Sequence, residues 1–132
     1  MAGHRWVYAW GTISVVALAG CAVTTPADLE DQGYQALNGQ QIRALHGQPV
    51  EMEWRRRGGL TGTTQFEPDG SATVVTAGQT FDGQWRVANG ELCTTYAGIQ
   101  DGETQCYRVF GKDGEPYEFF LDGEHVLTAT YP

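Results

Sequence analysis

The chain is punctuated by Asp-Gly and Asn-Gly pairs: "DG" at 69–70, "NG" at 89–90, "DG" at 101–102, "DG" at 113–114 and "DG" at 122–123. An aspartate or asparagine followed by glycine accepts the positive backbone angles of a tight hairpin at little steric cost. Between these pairs lie short segments rich in Val, Thr, Tyr, Phe and Trp. The spacing predicts strands at about 50–57, 61–67, 71–76, 81–88, 91–97, 104–110, 116–121 and 125–131. Connections this short join only antiparallel neighbours, so a mainly β meander is expected. About eight such strands remove their exposed edges by closing into a small barrel. A strongly curled open sheet packed on a helix is the alternative.

Alternation along the strands identifies an inner face. Val50, Met52 and Trp54 point one way while Glu51, Glu53 and Arg55 point the other. Phe81, Trp85 and Val87 oppose Asp82, Gln84 and Arg86, and Leu92 and Tyr96 should share a face with Tyr107 and Val109. Burying side chains of this size contributes roughly 1.5–3 kcal/mol each. Ahead of the strands, "LNGQQIRALHG" reads as one short helix. Asn38 is a good N-cap, Gln41 completes a capping box, and Leu37 and Ile42 stand at the staple positions. Gly47 ends the helix, with Arg43 and His46 as charges near its negative end.

The first twenty residues have a different character. A basic start (His4, Arg5) leads into an apolar stretch from Trp6 to about Leu18, then Ala19 and Gly20. This is signal-peptide anatomy, and the apolar stretch is short for a membrane span of roughly 20 residues. The segment "LAGC", Leu18-Ala19-Gly20-Cys21, resembles the lipobox of bacterial lipoproteins. That resemblance implies a diacylglyceryl group on the thiol and cleavage before Cys21, which becomes the first residue of the mature chain and carries acyl chains. It also implies that Ala22 directs the protein to the outer membrane of a Gram-negative cell, facing the periplasm. Two or more acyl chains anchor stably, at about 0.8 kcal/mol per buried methylene. The organisation expected is a signal peptide over 1–20, a lipidated N-terminus and flexible tether over 21–33, and one β-rich domain over 34–132.

Lipidation of Cys21 leaves two cysteines, Cys93 and Cys106, in a compartment where disulfides persist. If Ala97 pairs with Gly102 around the intervening loop, Cys93 falls directly opposite Cys106. A cross-strand disulfide closing that loop contributes about 3 kcal/mol.

From Leu37 to about Thr130 the pattern is similar to a family of small secreted proteobacterial proteins of unknown function. The matching pieces are "LNGQQIRALHG", "QFEPDG", "GQWRVANGELC" and "CYRVFGKDG". The resemblance implies a periplasmic β-rich domain with a paired cysteine, and it carries over no catalytic residue.

Chemistry-bearing patterns are sparse. Ser71 sits in a "DGS" turn without a G-x-S-x-G elbow, and His46 and His125 lack H-x-x-x-H spacing. Glu51 and Glu53 share a solvated strand face. No cofactor, metal or catalytic residue is expected. Formal net charge is −8, and residues 1–20 contribute only Arg5 to it, so a nucleic-acid partner is disfavoured. The one basic cluster is "WRRRGG": Arg55, Arg56 and Arg57 are the candidate binding residues, for a phosphate, carboxylate or lipid headgroup, with Arg55 and Arg57 on one strand face. The aromatics Trp54, Trp85, Tyr96 and Tyr107 are expected to be core. The functional expectation is a non-enzymatic, lipid-anchored binding or envelope-accessory protein, with the membrane and a protein of the envelope as partners. An inhibitor of a basic enzyme such as a lysozyme or protease, or a small-ligand carrier, are the alternatives.

Overall fold

The computed structural model describes residues 24–132; the leader and the Leu18–Cys21 motif lie outside the described residues. In chain order the elements are α1 (Pro26–Asp31), β1 (Gln35–Ala36), α2 (Gly39–Leu45), β2 (Val50–Arg56), β3 (Thr61–Phe66), β4 (Ser71–Thr76), β5 (Gln79–Ala88), β6 (Glu91–Tyr96), β7 (Gln105–Gly111), β8 (Tyr117–Leu121) and β9 (Glu124–Thr130). Each strand from β2 to β8 pairs antiparallel with the next, and β2 pairs with β9. The meander therefore closes into an eight-stranded barrel, and the open curled sheet does not form.

Closure demands sharp coiling of the strands, and two interior glycines permit it. Gly62 lies opposite Trp54 and Gly83 opposite Tyr96. A Cβ at Gly62 would overlap the Trp54 indole, and one at Gly83 would overlap the Thr95 carbonyl oxygen and the Tyr96 ring. Each aromatic ring covers the neighbouring glycine's backbone on the inner face.

Strand β7 runs past the start of β6, since its last β6 partner is Leu92 opposite Tyr107. The short β1 takes over that edge, pairing Gln35 with Gly111 and Ala36 with Phe110. Immediately after it, Asn38 caps α2: its side chain accepts from the Gln41 amide at 2.8 Å, and the Gln41 side chain accepts from the Asn38 amide at 2.8 Å. The helix so started lays Ile42, fully buried, across one end of the barrel.

The inner face carries the main core, in which Met52, Trp54, Phe66, Leu92, Tyr107 and Phe119 pack together. A second, smaller cluster of Leu29, Phe110 and Phe120, with Tyr34 against it, sits on the outer face of β7 and β8. Strand alternation turns the consecutive Phe119 and Phe120 to opposite sides, at an irregularity in the β8–β9 pairing, and α1 covers the outward one through Leu29. Residues 26–31 of the stretch read as a flexible tether are thus folded. Pro26 opens α1, and Thr25 and Asp28 form a reciprocal capping box.

Candidate functional site

The two ends of the barrel differ. The end holding the starts of β2, β4, β6 and β8 is closed by α2 and by residues packed beneath it. His46, the residue after α2, is 1 % exposed. Its ring centroid lies 4.3 Å from Phe66, 4.9 Å from Trp85 and 5.5 Å from Tyr131. Its Nε2 is 2.8 Å from the Tyr131 hydroxyl, while Nδ1 has no hydrogen-bond partner. Burial pushes the His46 pKa down from 6.5 to about 4; the nearby Ile42 carbonyl favours protonation but offsets little. His46 is therefore a neutral core residue and not the exposed helix-end charge expected from its position. Burial likewise raises the Tyr131 pKa well above that of a free phenol.

At the opposite end lie the β2–β3, β4–β5, β6–β7 and β8–β9 connections; the β6–β7 connection carries a 3-10 turn at Gln100–Gly102, and among the described residues no α-helix lies in them. Here the interior is hollow. A cavity of about 330 Å³ runs from Phe66 and Leu92 up to a rim formed by Arg56, Leu60, Thr76, Ile99 and Gln100. Its walls are mostly apolar, with Met52, Val74, Phe119 and Leu127 between the aromatic faces of Trp54, Tyr96 and Tyr107. The polar groups inside form one cluster. Trp54 Nε1 donates to Thr64 Oγ1 at 3.0 Å, and Tyr96 lies beside Thr64 and Thr94. Burial raises the Tyr96 pKa, with the two threonine hydroxyls opposing it, so its phenol stays protonated. The four aromatics expected to be core divide accordingly: Trp54, Tyr96 and Tyr107 line the hollow, and Trp85 packs at the closed end, donating to the Glu67 carbonyl at 2.7 Å.

The arginine cluster also divides. Arg55 and Arg57 are exposed on the outer face, and Arg56 is half-buried and lines the cavity rim. The same three arginines border a surface hollow of about 300 Å³ with Gly58, Gly59, His125 and Thr128. Among the described residues no ion pair involves them; the pair found is His125 Nε2 to Glu118 Oε2 at 2.6 Å. Glu118 also accepts from Thr128 Oγ1 at 2.7 Å. This outer-face trio does not have the order of a nucleophilic triad, because the carboxylate stands between hydroxyl and imidazole and leaves the hydroxyl without a base.

Strand register places Cys93 directly opposite Cys106, and the two form a disulfide. The loop it closes, which contains Ile99 and Gln100, is the part of the rim facing Arg56 across the cavity. Gln100 and Asp101 both have φ of 55°, and a buried Oε1 on Gln100 has no hydrogen-bond partner. Sequence reading missed Gln100 and did not separate Arg56 from its neighbours. For Arg56 the signal was present, because placing Arg55 and Arg57 on one face puts Arg56 on the other. Glu51 and Glu53 are exposed, Ser71 begins β4 with its amide bound to Asp69, and no cluster suited to a metal occurs among the described residues. No family, curated protein or solved structure matches this chain.

Proposed function

We propose that this protein is a non-enzymatic carrier that holds one small, largely apolar molecule inside its barrel, tethered to the outer membrane through acylated Cys21. The observation that carries the reading is the 330 Å³ hollow, closed at one end by α2 and open at the other. Ligand sites begin at about 300 Å³ and are apolar with a few placed polar groups, which describes this interior. At about 30 Å³ for each water-sized group, the hollow takes on the order of ten non-hydrogen atoms. The acidic surface, the disulfide and the "LAGC" motif support a location in the periplasm.

Equilibrium dialysis of the full chain against radiolabelled decanol, an apolar probe of about ten heavy atoms, tests the proposal. Saturable one-to-one binding is expected. Val74→Trp, which fills the hollow from its wall, should abolish binding while the far-ultraviolet spectrum stays that of a barrel. Equal binding by Val74→Trp would place the ligand elsewhere and end the proposal.

A further inference from the structure

We infer that the ligand is an amphiphile with a single carboxylate, its apolar chain in the barrel and its head group on Arg56. The inference rests on the carrier reading and adds to it the chemistry of the rim. A half-buried arginine with no ion-pair partner among the described residues is an unusual neighbour for an apolar hollow, since a charge drawn away from water needs a counter-charge. One guanidinium offers one planar fork, which matches the two oxygens and one charge of a carboxylate. Of the other rim residues Leu60 and Ile99 are apolar, and Thr76 already donates its hydroxyl proton to the Thr61 carbonyl at 2.8 Å, so the donors left for a head group are those of Arg56 and, opposite, Gln100.

Gln100 supplies an independent observation. Its buried amide oxygen lacks a partner, and its backbone is held at positive φ in the disulfide-closed loop. As placed, the amide oxygen calls for a donor; turned by half a rotation about its terminal bond, the same amide puts its NH2 there, and that orientation is the one a carboxylate oxygen selects. Arg55 and Arg57 on the outer side of the same strand end add local positive potential to a chain of net charge −8. Exposed Asp101, Glu103, Asp122 and Glu124 on the other open-end loops oppose them, so the head group is selected by the Arg56 contact and not by the general field. The size of the hollow sets the chain at about ten heavy atoms.

The test is equilibrium dialysis of the full chain against decanoate, decanol and decyl phosphate. Decanoate should bind about tenfold or more tightly than decanol, the difference expected of hydrogen bonds to a charged group. Arg56→Gln should remove that preference and leave decanol within about twofold, while Arg57→Gln, on the outer face, should leave both within about twofold. Equal affinity for decanoate and decanol, or an Arg56→Gln variant that keeps the preference, overturns the carboxylate assignment while the carrier reading stands on decanol binding. Tighter binding of decyl phosphate than of decanoate also overturns it. Binding of none of the three overturns both readings. Thermal melting of each variant keeps loss of fold distinct from loss of affinity.

Discussion

The closed and open ends of the barrel are built from the same eight strands, yet different forces hold them. At the closed end a helix seven residues long seals the strands with Ile42, and His46 is stacked among Phe66, Trp85 and Tyr131. At the open end the strands finish around a hollow, and the longest connection on the rim is fixed by a covalent bond between β6 and β7. Packing specifies one end and a disulfide restrains the other. A hollow forfeits the contacts that would fill it, so stability concentrates where the interior is filled and recognition where it is not.

Truncation separates the two ends most sharply. Ile42→Ala deletes buried methyl groups from the seal and should lower unfolding free energy by about 4 kcal/mol in urea titration. Leu60→Ala on the open rim, where the side chain is 49 % exposed, should change it by less than about 0.5 kcal/mol. Comparable losses at the two sites would contradict the division.

The staple under the open end comes next. Replacing Cys93 and Cys106 together by alanine frees a connection whose ends are 13 residues apart in sequence. The loss expected from chain entropy is about 3 kcal/mol. Because the rim carrying Gln100 lies within the released segment, ligand affinity should fall as well. The same double variant should leave proteolytic protection of α2 unchanged in conditions where the barrel stays folded.

Acid should attack the closed end. His46 titrates near 4 in the folded protein against 6.5 in the unfolded chain, so between those values the unfolded chain binds more protons. The stabilisation is complete above pH 6.5, declines as pH falls and is lost below about pH 4. Between pH 8 and pH 5 the His46 contribution to stability falls by about 2 kcal/mol. His46→Phe keeps an aromatic ring without a titrating group, so its pH profile should be flatter by that amount, measured as the difference between the two urea midpoints. Parallel profiles would show that His46 is not buried neutral.

Much of this contrast is legible in the chain, unevenly. Strand limits follow from turn chemistry: Asn89-Gly90 and Asp122-Gly123 are two-residue turns with both φ values positive, as their residue types require. Hairpin geometry sets Cys93 opposite Cys106, and the capping box of α2 is a local signal read from Asn38 and Gln41. His46 was misread because its environment comes from β3, β5 and the C-terminal residues, none adjacent to it in sequence. Helix α1 escaped notice because it has one buried side chain, Leu29, although Thr25, Pro26 and Asp28 carried an N-terminal signature. Outward placement of Phe110 follows from inward Val109, and an outward phenylalanine demands a cover, which is the role of that helix. The hollow itself depends on barrel radius and on the bulk of facing side chains together, a quantity no single segment encodes.

One turn at the open end breaks the local rule that its counterparts obey. Ala77-Gly78 joins Thr76 to Gln79 with φ of 51° and 75°, nearly the angles of Asn89-Gly90 at the closed end, which are 53° and 74°. Alanine has no side-chain polar group to compensate for the left-handed conformation, and the Cβ–carbonyl contact there is unfavourable. Asparagine at position 77 should therefore raise stability by about 0.5–1 kcal/mol, since the backbone angles already suit it. Asn89→Ala, the reverse exchange in the matching turn, should lower it by a similar amount. Both side chains are exposed, so neither change touches packing, and the two shifts in melting temperature should be of opposite sign and similar size. Shifts of the same sign would mean that the open-end turn tolerates alanine by adopting other angles in solution, and that the rim is looser than its closed-end counterpart in backbone as well as in packing.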